Sequence, residues 1–159
     1  MSIIDCIATL SSRVFTLSFF IFSSPPHANV NNASTGSAIK VFKKFPFKLI
    51  SGIEISEKLA NTCLKNIKRL NDNRLNVFCQ DARLFDHYDQ YNIFYLYNPC
   101  TELILRPIIE RLVSSSTNRK LLIYNNPKEE TVLIENGFTY LKTYKDEWGN
   151  GIKIFEYNC

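Results

Sequence analysis

The sequence predicts an α/β protein: a mostly parallel, doubly wound sheet with helices on both faces and a C-terminal antiparallel hairpin. Three observations lead there. Short strand-like runs alternate with helix-like segments over residues 49–135, the pattern of successive βαβ units. Those runs are apolar almost throughout, as strands covered on both sides must be. Beyond Gly137 the pattern changes to two alternating segments separated by a turn, which reads as a hairpin.

The elements follow in order. Residues 14–22 (VFTLSFFIF) form a nine-residue apolar run ended by Ser23-Ser24-Pro25-Pro26. The run is too short to cross a bilayer as a helix. Arg13, offset by Asp5, is too little basic charge for a secretory leader. Its Val, Phe and Ile content predicts a buried strand. Residues 23–37, rich in Ser, Asn and Pro, read as a loop. Residues 37–45 place Ile39, Phe42 and Phe45 on one side of a short helix that Pro46 stops.

Residues 49–55 (LISGIEI) predict a buried strand, and Ser56 an N-cap for a helix carrying Leu59, Cys63, Ile67 and Leu70 at helical spacing. Asn71-Asp72-Asn73 reads as a turn before a second strand, residues 75–79. A third strand is expected at 92–97 (NIFYLY), and a helix at 101–115 that Pro107 must interrupt or restart. A strand at 120–124 precedes a helix at 127–135, opened by Pro127 and closed by Gly137. Residues 138–144 and 151–157 form the hairpin.

Composition fits one globular domain: 159 residues, 45% apolar and 21% charged. The net charge of +4 permits a nucleic-acid partner without the basic stripe that would signal one. The lysines of segments 40–48 and 58–68 read as solvated helix faces. Five cysteines, odd in number and without a C-x-x-C pair, indicate neither a disulfide framework nor a metal site. They fit a reducing compartment, hence the cytoplasm. Cys63 and Cys79 are expected to be buried packing residues. His27 and His87 lie in loop-like stretches and read as solvated. No membrane association is expected.

In open α/β sheets ligands bind beyond the carboxyl ends of the strands, so the residues at those ends are the candidates for chemistry. Glu54 closes the strand LISGIEI, where a carboxylate can accept hydrogen bonds from both hydroxyls of a ribose; the alternative is a charge compensating a helix dipole. Asp81, in Gln80-Asp81-Ala82-Arg83, can accept from an adenine amino group, with Ala82 offering a backbone donor; the alternative is a turn or N-cap aspartate. Asn98 and Pro99 follow NIFYLY, where a side-chain amide and the carbonyls around a rigid proline can orient a polar acceptor; the alternative is a strand-ending turn. Asn125-Asn126-Pro127 reads as a turn only.

PFKLISGIEIS, the downstream QDAR and YNIFYLYNPC together resemble the class I S-adenosylmethionine-dependent methyltransferases with a seven-stranded sheet. The resemblance covers about residues 32–157. It implies S-adenosylmethionine as cofactor, Glu54 at its ribose, Asp81 and Ala82 at its adenine, and Asn98 with Pro99 bordering a nitrogen or oxygen methyl acceptor. The family's loop after the first strand carries several glycines so that backbone can approach the cofactor. Aligned on Pro46-Phe47, Asn32, Ser34 and Gly36 take those positions, and Gly36 alone is kept as a cofactor-binding residue. The domain reading is therefore an irregular segment 1–35 with one improvised strand, then a methyltransferase-like domain 36–159. Two functional readings stand: methyl transfer to an unidentified acceptor, or an inactive domain lacking a complete cofactor loop.

Overall fold

The computed structural model describes residues 16–20, 37–97, 100–145 and 151–159. Seven strands build one sheet: β1 (Thr16–Phe20), β2 (Leu49–Glu54), β3 (Leu75–Cys79), β4 (Ile93–Tyr97), β5 (Lys120–Asn125), β6 (Thr139–Tyr144) and β7 (Ile152–Tyr157). Their spatial order is β3-β2-β1-β4-β5-β7-β6. The pairs β1–β2, β1–β4, β2–β3 and β4–β5 are parallel. Strand β7 runs antiparallel to both β5 and β6. The sheet is thus parallel from β1 to β5 and antiparallel around β7.

Strand β1 lies at the centre, Thr16 opposite Leu49 and Phe20 opposite both Ile53 and Leu96. The order of the strands therefore reverses at β1, which has β2 on one side and β4 on the other.

Among the described residues, four α-helices cover the two faces: α1 (Ser37–Phe42), α2 (Glu57–Lys68), α3 (Glu102–Ser114) and α4 (Glu130–Glu135). Period-two alternation explains the division, because successive strand residues point to opposite faces. Ile93 and Tyr95 of β4 and Leu121 and Ile123 of β5 pack with Ile39 and Phe42 of α1 and with Ala60, Cys63 and Ile67 of α2. Phe94 and Leu96, Leu122 and Tyr124 pack on the other side with Leu105, Ile108, Ile109 and Leu112 of α3 and Val132 and Leu133 of α4. Strands buried on both faces account for the unbroken apolar runs.

Several expected boundaries move for identifiable reasons. Helix α1 ends at Phe42, three residues before the expected stop. The chain then tightens into i→i+3 bonds from Lys44 N–H to Val41 O and from Phe45 N–H to Phe42 O. Pro107 lies inside α3 without interrupting it. A proline forfeits the bond to the carbonyl four residues back, here Leu103, whose turn is open to water at 85% exposure. Helix α4 starts at Glu130 and not at Pro127, because Asn126 holds φ +51 and turns the chain out of the helical path. Its end matches expectation: Gly137 has φ +86, Gly137 N–H donates to Ile134 O, and Phe138 N–H donates to Leu133 O. These are the paired bonds of a Schellman stop. Cys63 is buried, but Cys79 is exposed at the end of the edge strand β3, contrary to expectation.

The Phe45–Phe47 turn is fastened from a distance. Arg74, ahead of β3, donates to Phe45 O and Phe47 O at 3.0 Å and to Lys43 O at 3.0 Å, while Asp72 holds the same guanidinium at 2.7 Å.

Candidate functional site

Because β1 to β5 are parallel, their carboxyl ends share one edge of the sheet. Glu54 is the last residue of β2, opposite Cys79 of β3, and its neighbour Ile53 pairs with Phe20 of the central strand. Gln80 N–H donates to Glu54 O at 3.0 Å and ties the two strand ends together. This edge beside β1 is the crevice position where open α/β sheets take ligands.

Glu54 is only 1% exposed. Its Oε1 accepts from Ser56 N–H at 2.8 Å, just ahead of α2, and the Ser56 side chain makes no capping hydrogen bond. Its Oε2 is buried without a hydrogen-bond partner among the described residues. Burial pushes the carboxyl above the usual range for glutamate, and the N–H groups of Ser56 and Ile55 pull in the opposite sense. The same charge, after burial itself, helps push the Cys63 thiol of α2 up to about 11. A buried acceptor left unmet costs about 1–3 kcal/mol, so a ligand hydroxyl donating to Oε2 would relieve a strain already present. A ribose diol has the donors this carboxylate needs.

Asp81 stands two residues beyond the end of β3 and is differently placed. It caps the single 3₁₀ turn Ala82–Leu84, its Oδ1 accepting from Arg83 N–H at 2.9 Å. The Arg83 guanidinium lies 2.6 Å from Oδ2 and holds the carboxyl below its ordinary value. The capping role is thus filled. A carboxylate has about four lone-pair sites, so an additional donor can be received. Ala82 is buried, and its carbonyl accepts from Tyr88 Oη at 2.7 Å.

Glu54 and Asp81 share the carboxyl edge, at the ends of adjacent strands. Gly36, Asn98 and Pro99 lie outside the described residues. Tyr97, the residue before Asn98, ends β4 opposite Asn125 and is exposed. Two polar features of the sheet carried no signal in the sequence. Tyr91 Oη donates to the buried Ser51 Oγ at 2.7 Å, bracing the middle of β2. Tyr124, opposite Leu96, is fully buried with no hydrogen bond to its hydroxyl. Burial pushes that hydroxyl up, and the nearby N–H groups of Glu129 and Lys128 only partly offset it.

Among the described residues, no group of three His, Cys, Asp or Glu side chains could hold a metal ion. No helix among them is long and apolar enough to cross a membrane. An open depression of about 600 Å³ lies elsewhere, between α4 and the terminal hairpin, floored by Ile134, Tyr140 and Phe155. Lys153 neutralises Glu130 at its rim at 2.6 Å. None of its residues belongs to a parallel strand end.

No family model matches the sequence, and no curated protein matches it either. Solved structures do match the fold. The N-methyltransferase NodS from Bradyrhizobium japonicum WM9 superposes with a TM-score of 0.66 at 11% identity, covering 98% of this chain and 93% of that one. The magnesium protoporphyrin IX methyltransferase ChlM from Synechocystis PCC 6803, solved with bound SAH, gives 0.66 at 14% identity over 97% of this chain and 78% of that one. The same enzyme with bound SAM gives 0.66 at 15% identity over 97% and 74%. The chain has the fold of these methyltransferases.

Proposed function

We propose that this chain binds S-adenosylmethionine at the carboxyl edge of its sheet and transfers the methyl group to a nitrogen or oxygen acceptor. The observation that carries the reading is Glu54: a buried carboxylate with one oxygen unmatched, on the strand beside the reversal of strand order, in a fold shared with methyltransferases solved with bound SAM or SAH. Glu54 would hold the ribose hydroxyls. Asp81 and the Ala82 backbone would border the adenine, Gly36 would line the loop after β1, and Asn98 with Pro99 would face the acceptor. The cofactor's sulfonium supplies an activated methyl group, so the protein's main task is alignment of donor and acceptor. A cytoplasmic setting suits the free thiols.

Calorimetry with S-adenosylhomocysteine tests the proposal. The wild-type chain should bind at micromolar concentration, and Glu54→Ala should weaken binding at least about tenfold, the loss of one charge-assisted hydrogen bond. Absence of binding at millimolar ligand would leave the second reading, an inactive domain. That reading has its own support: of the three positions aligned with the family's loop glycines only Gly36 is glycine, and Asp81 is already engaged by Arg83.

A further inference from the structure

The charge of this chain is sharply divided. Residues 37–74 contain nine of the 19 Lys and Arg residues but only three of the 15 Asp and Glu, a local net charge of +6. Residues 75–159 contain nine cations and eleven carboxylates, a net of −2. Pairing follows the same division. Arg83, Arg106, Arg111, Arg119 and Lys153, all in the second part, form ion pairs. In the first part Arg74 alone does. Of its three carboxylates, Glu54 is buried and Asp72 is taken by Arg74.

The exposed cations of residues 37–74 gather on and around helices α1 and α2. Helices α1 and α2 cover the same face of the sheet and are stitched together where Lys43 Nζ donates to Leu70 O at 2.7 Å. Lys40, Lys44, Lys48, Lys58, Lys65 and Arg69 are exposed around them. At about 100° per residue, Lys58, Lys65 and Arg69 fall within about 20° of one line along α2, opposite the stripe Ala60, Cys63 and Ile67 that enters the core. That row is about 16 Å long at 1.5 Å per residue.

We propose that this face is an interaction surface for a nucleic-acid duplex, held through its phosphodiester backbone. Clustered like charge on one face costs self-repulsion, which a polyanion reverses while releasing its condensed counterions. Two observations select the duplex. None of the large exposed apolar side chains lies on α1 or α2: they are Ile55, Leu84, Tyr97, Leu103, Ile104, Ile134, Tyr140 and Leu141. An interfacial membrane helix needs apolar anchors between its cations, and here the apolar stripe of α2 is spent on the core. A single strand is gripped by bases stacked on exposed aromatic rings, and among the described residues α1 and α2 present none. Backbone contact by point charges remains. The surface does not depend on methyl transfer, and its test measures binding without cofactor.

Fluorescence anisotropy with 20-base-pair RNA and DNA duplexes and a 20-nucleotide single strand provides the test. The full chain should bind a duplex at micromolar concentration in 50 mM salt, more tightly than the single strand. Affinity should fall about 10²–10³-fold by 200 mM salt, as expected for about five phosphate contacts. The RNA and DNA arms identify which duplex it prefers. Lys65→Glu with Arg69→Glu should weaken binding at least about tenfold and flatten the salt slope by about two, with the unfolding midpoint unchanged. Lys128→Glu with Lys142→Glu, an equal charge change elsewhere, should leave affinity within about twofold. No duplex binding in 50 mM salt would overturn the proposal. Equal losses in the two double variants, or tighter binding to vesicles containing 30% phosphatidylserine than to either duplex, would do the same.

Discussion

Strand β3 is flanked by two copies of the same short motif, Asp72-Asn73-Arg74 before it and Asp81-Ala82-Arg83 after it. In each, the aspartate accepts from the backbone N–H of the arginine two residues on and pairs with its guanidinium. The difference is what else the arginine holds. Arg74 reaches three carbonyls, 27 to 31 residues away in sequence, and is 28% exposed. Arg83 makes side-chain bonds only to its own aspartate and is 47% exposed. A motif closed on itself at the surface contributes little to stability, whereas one that gathers distant carbonyls becomes a tertiary clasp. The amino end of β3 is committed to the fold. The carboxyl end can be reassigned to a ligand.

The largest expected effect follows directly. Arg74→Ala strands the Lys43, Phe45 and Phe47 carbonyls and should cost about 2 kcal/mol in urea unfolding, near the value of a charged hydrogen bond in a half-buried site. Arg83→Ala should leave the urea midpoint where it is. Equal losses from the two would erase the distinction between them. Next in size is Asp81→Ala. If Asp81 meets an adenine amino group, the substitution should weaken S-adenosylhomocysteine about three- to tenfold by calorimetry, one hydrogen bond to a charged group discounted for exposure. Arg83→Ala, which releases the carboxylate, should hold or improve affinity. A loss in Arg83→Ala as large as in Asp81→Ala would reduce Asp81 to a cap.

What the sequence makes legible, and what it hides, follows from the range of each interaction. The strands show because residues covered on both faces must be apolar, and the α4 stop shows because only a residue suited to positive φ fits there. Glu54 is singled out because a carboxylate closing an apolar strand is unusual, and its burial with Oε2 unmatched is what the sequence does not show. The run at 14–22 reads as a strand from its own composition. Its place between β2 and β4 does not, since its pairing with Leu49 spans more than 30 residues. Arg74 is silent for the same reason: its acceptors are backbone carbonyls, which every residue has. Pro107 misleads because its cost depends on whether Leu103 O meets water, a tertiary fact. The exposure of Cys79 is tertiary as well, set by β3 being an edge strand.

Glu54 and Asp81 also differ in how each should answer to pH, and the sign separates them. Burial raises the Glu54 carboxyl in the folded chain above its ordinary value of 4.5. The folded state then holds the proton more tightly than the unfolded one, so stability should fall as pH rises from about 4.5 to the raised value. Asp81 is lowered from 3.8 by Arg83, so its contribution is present above that value and should be lost as pH falls below it. Glu54→Gln removes the first slope and leaves the second, measured as urea midpoints between pH 3 and 7. A ligand hydroxyl donating to Oε2 favours the charged carboxylate, so saturating S-adenosylhomocysteine should flatten the same slope in the wild-type chain. If the ligand stabilises the protein by the same amount at every pH in that window, Glu54 is not where its hydroxyls are bound.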